Sequence, residues 1–329
     1  MAAELRAGLI GLGMMGRHHA RVLRSLPGVR LAAVADPNGD VHGVARDLEV
    51  GASVQHLIDA GVDYAVVAVP TGYHEEVGLA LAEAGIHAML EKPLAPTSES
   101  AARLVKAFSD GGVIGAVGHI ERYNPALRSL RARLEQGDLG EVFQVSTRRQ
   151  GPFPTRIADV GVVMDLASHD IDLTAWVAQA RYESVAAQVA KLSGREHEDL
   201  VAVVGALERG IVVVHLVNWL SPLKERATVV TGERGAFIAD TLTADLTFYI
   251  NGTRETTWES LAGFRGVTEG DVVRFALGKR EPLLVEHEAF RDAVLGRSQD
   301  IVSLQEGLET VRVAEAVLES AATGATVRL

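Results

Sequence analysis

Cysteine is absent from this sequence of 329 residues. Its absence excludes disulfide frameworks, thiolate nucleophiles and thiolate-bound zinc, and it fits a protein of a reducing compartment. No stretch approaches the roughly 18 uncharged apolar residues that a membrane-spanning helix needs. The region after Met1 has no apolar signal core, because strand-like sequence begins at Leu5. We therefore expect a soluble, cytoplasmic protein.

Basic residues are in the minority. There are 32 lysines and arginines against 43 aspartates and glutamates, which gives a formal net charge of −11. This charge disfavours broad electrostatic binding to nucleic acid or to an anionic membrane, so an anionic ligand would need a local basic pocket. The apolar fraction of 47% and the charged fraction of 23% are typical of globular proteins. At roughly 150 residues per domain, the length predicts about two domains, although one large barrel also fits that length.

The first third of the chain alternates short apolar runs with amphipathic stretches, which is typical of βαβ units in a parallel sheet. The predicted strands are Leu5–Ile10, Leu31–Ala35, Tyr64–Val69, His87–Leu90 and Val113–Val117, and the predicted helices are His18–Leu26, Glu75–Glu83 and Glu99–Phe108. The strands are rich in Val, Ala and Ile, as expected for strands buried on both faces. The pattern predicts a doubly wound α/β domain over residues 1–120.

A different rhythm follows Gly118 and predicts a second α/β domain over residues 121–329. The predicted elements are helices over Pro125–Glu135, Val162–Val177, Leu284–Leu295 and Ser303–Ala321, and strands over Glu141–Thr147, Leu200–Leu207, Ile211–Val217, Ala227–Thr231 and Leu246–Ile250. Turn signals separate the later strands, and no helical period connects them. These strands therefore predict an antiparallel sheet.

A glycine-rich turn, Gly11-Leu12-Gly13-Met14-Met15-Gly16, lies between the first predicted strand and the first predicted helix. In this context the G-x-G-x-x-G spacing predicts a dinucleotide site: the first glycine permits a tight turn, the second admits a pyrophosphate, and the third allows close helix packing. The helix N-terminus adds free N–H donors. The predicted cofactor-binding residues here are Gly11, Gly13, Met14, Met15 and Gly16. The alternative is a βα turn without a ligand.

Asp36 ends the second predicted strand, where a carboxylate can accept hydrogen bonds from the adenosine ribose. It favours NAD over NADP, because a 2′-phosphate would bring two like charges together at a cost of about 4 kcal/mol for an effective dielectric near 20. No arginine replaces it, since Pro37 and Asn38 follow. The alternative is an ordinary turn aspartate before proline.

The tripeptide Glu91-Lys92-Pro93 follows a predicted strand, at the sheet edge where doubly wound folds bind ligands. An ammonium there can donate a hydrogen bond to a reacting hydroxyl and stabilise alkoxide character. The alternative is a solvated lysine at a strand end.

Asp165, His169 and Asp172 are spaced i, i+4, i+7, so one helix face would carry all three. A carboxylate beside an imidazole raises its basicity, which predicts His169 as a general base with Asp165 as its partner. A polar helix surface and a buried structural histidine remain alternatives. We expect no metal site, because no further cluster has familiar ligand spacing.

Taken together, these motifs resemble the Gfo/Idh/MocA family of NAD(P)-dependent sugar and cyclitol oxidoreductases over almost the whole chain. The resemblance implies an N-terminal Rossmann domain and a C-terminal α/β domain with a large, mostly antiparallel open sheet that often mediates oligomerisation. It implies catalytic roles for Lys92, Asp165 and His169, and a cis peptide bond before Pro93. It also implies that the cofactor cleft is lined by Val69, Pro70, Thr71, His74, Glu91 and Lys92.

A second set of residues resembles the UDP-N-acetylglucosamine 3-dehydrogenase branch of this family. The set comprises residues 118–125, residues 148–161 and Asn218-Trp219. Arg148, Arg149 and Arg156 lie within nine residues without an acid, and planar guanidinium groups suit a diphosphate, although a solvated basic strand face is the alternative. Tyr123 and Trp219 can line a sugar or a base, or belong to the core. The predicted substrate-binding residues are Tyr123, Arg148, Arg149, Arg156, His169 and Trp219.

The predicted function is hydride transfer between NAD and a sugar ring carbinol, C3 of a nucleotide sugar such as UDP-N-acetylglucosamine, with NADP less favoured. Oxidation of inositol or a free sugar, and reduction of a keto sugar, remain alternatives within the family. An alternative from a different functional class is a regulatory protein that senses NAD and has no catalytic activity. We expect a small-molecule substrate, no nucleic acid or membrane partner, and a homo-oligomer, either dimer or tetramer.

Overall fold

The computed structural model describes residues 4–153, 160–252 and 270–329. Contacts divide the chain into two compact units, each built from two separate stretches. The first unit contains Met1–Ile120 and Glu281–Glu315, and the second contains Glu121–Arg280 and Ala316–Leu329. The chain thus returns to its first unit after completing most of the second.

A parallel sheet of six strands forms the centre of the first unit, in the order β3-β2-β1-β4-β5-β6. The strands are β1 (Leu5–Ile10), β2 (Val29–Ala35), β3 (Val50–Gly51), β4 (Tyr64–Val67), β5 (His87–Glu91) and β6 (Gly115–Gly118). The helices are α1 (Met14–Ser25), α2 (Val54–Asp59), α3 (His74–Glu83) and α4 (Ser98–Asp110). This strand order is that of a Rossmann sheet and confirms the predicted doubly wound fold.

Several boundaries in the first unit differ from the sequence prediction, and two of the differences have a clear physical reason. Helix α1 begins at Met14 rather than His18, because the helix starts directly after Gly13 of the glycine-rich turn. Strand β4 ends at Val67 rather than Val69. The reason is Pro70, which restricts the residue before it and has no N–H for a strand ladder.

Two late helices are α7 (Pro282–Val294) and α8 (Leu304–Thr323). The sequence prediction placed both in the second domain, whereas residues 281–315 lie in the first unit. Phe290 of α7 packs edge-on against Tyr64 of β4, with 5.4 Å between ring centroids, and the Val117 amide donates to the Val302 carbonyl at 2.9 Å. Apolar periodicity identifies such a helix but not the sheet it covers.

The second unit is built on nine strands in the order β14-β13-β12-β11-β7-β10-β9-β8-β15. They are β7 (Val142–Pro152), β8 (Tyr182–Ala190), β9 (Leu200–Leu207), β10 (Val212–Asn218), β11 (Leu220–Gly232), β12 (Gly235–Asp240), β13 (Asp245–Ile250), β14 (Val272–Arg274) and β15 (Val327–Arg328). All neighbours are antiparallel except β7 and β10, which run parallel. The predicted large, mostly antiparallel sheet is therefore confirmed.

Helices cover one face of this sheet. They are α5 (Pro125–Glu135), which coincides with its predicted bounds, and α6 (Ser168–Ala178), which follows a single π-helical turn at Val163–Ala167. Along β7 the buried positions Val145, Thr147 and Arg149 alternate with more exposed ones. No helix in the described ranges is long and apolar enough to cross a membrane.

Candidate active site

The glycine-rich turn has the geometry that its three glycines predict. Gly11 has a φ of +92°, and a Cβ added there would lie 2.5 Å from the backbone of Ala68. A Cβ on Gly16 would lie 1.9 Å from the carbonyl oxygen of Gly11, so α1 packs closely on the turn. Gly13, by contrast, has no atom within 4 Å of its added Cβ. The turn is thus closed on the protein side and open at the position where a pyrophosphate would approach.

Asp36 holds this turn from the end of β2. Its Oδ2 accepts a hydrogen bond from the Leu12 amide at 2.8 Å, and its Oδ1 accepts one from the Asn38 amide, also at 2.8 Å. Each carboxylate oxygen has a second lone pair, so the half-buried group can still accept bonds from ribose hydroxyls. The residues present therefore fit a dinucleotide whose 2′ position carries a hydroxyl.

His74 joins the segments that follow β4 and β5. Its Nε2 lies 3.0 Å from the Val69 carbonyl oxygen, and its Nδ1 lies 3.0 Å from that of Pro93. The side chain is buried, and burial lowers its pKa. The predicted cleft residues Val69, Pro70 and Thr71 are more exposed than His74. The buried His74 ring therefore links the backbone after β4 to the backbone after β5.

Lys92 stands directly after β5, at the carboxyl edge that β1, β4 and β5 share. It is half-buried, and the peptide bond between Lys92 and Pro93 is cis, as the resemblance implies. The Lys92 amide lies 3.1 Å from Oε2 of Glu91. Glu91 in turn contacts His19 of α1, with 2.8 Å between Oε1 and Nε2. Sequence analysis did not select His19, which is buried on the sheet-facing side of its helix.

Asp165 and His169 lie on either side of a change in helix type. Asp165 is buried within the π-helical turn, and His169 lies partly exposed in the first turn of α6. Single π turns are frequent at functional sites, because they re-aim side chains on an otherwise regular helix. The third member of the predicted face, Asp172, is buried and bonded bidentately to Arg122, with an Oδ1–Nη2 distance of 2.7 Å. Asp172 thus has a structural partner.

Arg149 forms the centre of a buried ion-pair network. Its Nε donates to Asp170 at 2.8 Å and its Nη1 donates to Glu121 at 2.6 Å. Although burial alone would lower the pKa of Arg149, the two carboxylates outweigh it and raise that pKa. For Asp170 burial dominates over the attraction of Arg149, and its pKa is raised. The planar fork predicted to bind a diphosphate therefore contacts two carboxylates of the chain itself.

Arg148 points the other way. Adjacent residues of a strand face opposite sides of a sheet, and the Arg148 side chain is 55% exposed, 3.5 Å from Glu225. Arg148 and Arg149 therefore do not form one anion-binding fork. Arg156 lies outside the described residues. The substrate roles of these three arginines stay predictions.

Tyr123 and Trp219 are both 4% exposed. The guanidinium of Arg128 lies over the Tyr123 ring at 5.5 Å, and Trp219 packs edge-on against Phe153 with 5.4 Å between centroids. The Arg195 guanidinium lies 5.0 Å from the Trp219 ring. Both rings are thus largely covered by protein, which matches the core alternative.

Glu198 is a second residue that sequence analysis missed. Its Oε1 accepts a hydrogen bond from the Val163 amide at 3.0 Å, and its carbonyl accepts one from Val162 at 3.0 Å. A Cβ on Gly161 would lie 2.0 Å from this carboxylate. Glu198 therefore caps the turn that carries Asp165, and Gly161 is the one local signal of it. Within the described residues, no three His, Asp or Glu form a group suited to a metal ion.

Known proteins resemble this chain over lengths that range from about half of it to almost all of it. Inositol 2-dehydrogenase 2 of Saccharopolyspora erythraea is 32% identical over 338 aligned residues, covering 98% of this chain and 94% of the relative. UDP-N-acetylglucosamine 3-dehydrogenase of Acidithiobacillus ferrooxidans is 36% identical over 52% of this chain and 53% of the relative. A solved structure of that organism's UDP-N-acetylglucosamine 3-dehydrogenase, GnnA, superposes with a TM-score of 0.84 at 25% identity, covering 98% of this chain and 99% of GnnA.

Two family models match the chain in succession. Residues 5–119 match the oxidoreductase family with an NAD-binding Rossmann fold, and residues 127–238 match the C-terminal domain of the same family. The matched ranges fall in the parallel-sheet unit and in the antiparallel-sheet unit, respectively. Together with the full-length relative, they show that this chain belongs to the Gfo/Idh/MocA family of oxidoreductases.

Proposed function

We propose that the chain oxidises a secondary alcohol on the ring of a sugar or cyclitol, with NAD as the hydride acceptor. The observation that carries this proposal is the edge of the parallel sheet in the first unit. There an open dinucleotide turn and a half-buried lysine follow strands that run side by side. A regulatory protein that binds NAD without catalysing a reaction would not require this lysine.

NAD would be held by the glycine-rich turn and by Asp36, whose carboxylate would accept bonds from the ribose hydroxyls and disfavour a 2′-phosphate. When bound, NAD supplies a nicotinamide carbon that accepts a hydride. The chain's own residues manage the proton of the alcohol. Lys92 donates a hydrogen bond to the reacting oxygen, His169 accepts the hydroxyl proton, and Asp165 stabilises the resulting imidazolium.

The finer proposal is that the alcohol is C3 of a nucleotide sugar such as UDP-N-acetylglucosamine. It is supported by the likeness to GnnA at 25% identity over almost the full length. In this reaction Arg148 and Arg156 would bind the diphosphate, while Tyr123 and Trp219 would shape the wall around the sugar. The exposed guanidinium of Arg148 has the charge and the planar donors that a diphosphate requires.

A cyclitol is the second candidate substrate, and one observation favours it. Arg149 contacts Asp170 and Glu121, and Arg148 lies on the other face of β7, so these two arginines form no paired guanidinium fork for a diphosphate. A neutral polyol needs none. The relative that matches 98% of the chain is named an inositol dehydrogenase.

A substrate panel separates these candidates. UDP-N-acetylglucosamine, other nucleotide sugars, inositols and hexose phosphates are each incubated with the protein and NAD, and formation of reduced nicotinamide is followed by absorbance. We expect turnover of UDP-N-acetylglucosamine, with the 3-keto product identified by NMR. Turnover confined to inositols would overturn the nucleotide-sugar proposal, and NAD binding without turnover of any alcohol would overturn the dehydrogenase proposal.

We also propose that the chain forms a homo-oligomer through the face of the nine-stranded sheet that carries exposed apolar side chains. Val204 and Val212 are 55% and 45% exposed on neighbouring strands β9 and β10, and Tyr249 is 46% exposed on β13. Exposed apolar side chains on one sheet are a feature of protein interfaces. Light scattering should give a dimer or tetramer, and Val204→Lys should lower that mass, whereas a monomeric mass for the unmodified chain would contradict the proposal.

A further inference from the structure

The first unit contains a buried row of three titratable side chains, Glu91, His19 and His287. Oε1 of Glu91 lies 2.8 Å from Nε2 of His19, and Nδ1 of His19 lies 2.8 Å from Nε2 of His287. His19 is 0% exposed and His287 1% exposed. We call this set the Glu91 row. Its members come from β5, α1 and α7, so separations of 72 and 268 residues divide them in the sequence.

The row fixes its own hydrogen-bonding pattern. Burial raises the pKa of Glu91, but His19 and Lys92 outweigh that effect, so the net pKa is lowered and the group is a carboxylate. A carboxylate only accepts hydrogen bonds, so His19 must donate from Nε2. Burial and the nearby His19 lower the pKa of His287 well below its usual value, so its ring carries one proton.

The other nitrogen of His19, Nδ1, lies within hydrogen-bond distance of Nε2 of His287, so one of these two nitrogens donates and the other accepts. The second ring nitrogen of His287, Nδ1, has no hydrogen-bond partner among the described residues. The row therefore ends at His287, and His19 contacts both of the other members through hydrogen bonds.

The other end of the row meets Lys92. With Oε1 of Glu91 occupied by His19, Oε2 lies 3.1 Å from the Lys92 amide. Both carboxylate oxygens are thus engaged, one with a buried imidazole and one with the backbone of the proposed catalytic lysine. Rotation of the Glu91 side chain would break both contacts at once.

We propose that His19 and His287 are positioning residues that hold Glu91, and through it the backbone of Lys92, in the arrangement that turnover requires. This inference rests on the proposed role of Lys92. His287 joins the row through its hydrogen bond with His19, and the inferred effect of His287 on Glu91 passes through that bond.

The test compares two replacements of His287. A glutamine amide can donate or accept a hydrogen bond near the position of Nε2, whereas leucine fills similar volume without a polar group. His287→Leu should lower kcat about tenfold, the usual value of one buried hydrogen bond, with the KM for NAD within about twofold. His287→Gln should recover most of that loss. Equal losses in both variants would overturn the proposal, because a packing role does not distinguish them.

His215→Leu is the matched control. His215 is also a buried, hydrogen-bonded histidine, bonded to Thr147 and Tyr182 in the second unit, outside the proposed machinery. It should lower thermal stability and leave kcat unchanged. If His215→Leu lowers kcat as much as His287→Leu, general destabilisation explains both, and the proposal fails.

NAD-free protein supplies a readout that does not depend on turnover. Imidazole ¹⁵N spectra should show His19 protonated at Nε2, with the Nδ1 resonance changed by His287→Leu and restored by His287→Gln. Hydrogen exchange at the Lys92 amide should accelerate in His287→Leu. An unchanged His19 resonance and unchanged Lys92 exchange would overturn the inference, whereas a panel without any turned-over alcohol would overturn only the proposed function.

Should His287→Leu not fold, the same comparison is made at His19. His19→Gln keeps a donor toward Glu91, and His19→Leu removes it. Slower Lys92 amide exchange in the glutamine variant than in the leucine variant supports the inference. Equal exchange in the two variants contradicts it.

Discussion

The two units hold their polar groups in different ways. In the first, Asp36, Gly13 and Lys92 lie in turns at strand ends, where contacts are short-range and the surface is open. In the second, Arg149 and Arg122 are buried in pairs with carboxylates from other elements. A site formed by backbone turns can be recognised in a sequence, whereas a buried ion pair between distant residues cannot. Substitutions in the turns of the first unit should therefore change function, and substitutions in the buried ion pairs of the second unit should change stability.

The largest expected effect is on turnover. Lys92→Ala and His169→Ala should each lower kcat by about 10²–10⁴, the usual range for loss of a proton-handling group. The dissociation constant for NAD should stay close to that of the unmodified protein, as measured by fluorescence titration. Unchanged turnover in either variant would remove that residue from the mechanism.

The next effect is on stability and separates two neighbouring arginines. Arg149→Met should lower the free energy of unfolding by about 3–5 kcal/mol, because it leaves the carboxylates of Asp170 and Glu121 buried without their partner. Arg148→Met is the matched control and should stay within about 0.5 kcal/mol, since its side chain is 55% exposed. Urea denaturation measures both. Similar losses in the two variants would show that Arg149 is not the centre of a stabilising network.

A smaller effect depends on pH. Burial lowers the pKa of His215 from 6.5 to about 4, so the unfolded chain binds a proton there before the folded one. The free energy of unfolding should therefore fall as the pH drops through that window, by at most about 1.4 kcal/mol per pH unit from this group. Urea denaturation at pH 7 and pH 5 should show a smaller difference for His215→Leu than for the unmodified protein. Equal differences would mean that His215 does not contribute.

The smallest expected effect concerns cofactor choice. Asp36→Ser should lower the preference for NAD over NADP by about tenfold, because it removes a repulsion worth about 1 to 4 kcal/mol toward a 2′-phosphate. Dissociation constants for both cofactors measure it. If the preference for NAD over NADP does not change, the role of Asp36 is limited to its hydrogen bonds with the Leu12 and Asn38 amides.

Sequence pattern predicted five of the six strands of the Rossmann sheet, because these strands and their turns have local signatures, and it missed the two-residue strand β3. Strand β1 and helix α5 coincide with their predicted bounds. The return of α7 to the first unit was not predicted, since the apolar face of a helix does not identify the sheet it covers.

The candidate site likewise contains residues whose geometry depends on their sequence neighbours and residues whose contacts are distant in the sequence. Gly11, Gly16 and Asp36 have the predicted geometry, because neighbouring residues determine it. Arg148 and Arg149 were both predicted to bind the substrate. They are adjacent on β7, however, and successive side chains of a strand face opposite sides of the sheet. His19, His287 and Glu198 act through contacts with residues far away in the sequence. Gly161, beside the Glu198 carboxylate, gave the only local sign of any of them.

The most direct test of the dehydrogenase account follows the hydrogen itself. The alcohol that the panel identifies is prepared with deuterium on its carbinol carbon and incubated with the protein and NAD, and the reduced cofactor is analysed by mass spectrometry. The account predicts one deuterium in the reduced nicotinamide for each keto product. Reduced nicotinamide without deuterium, or deuterium released to water, would contradict it.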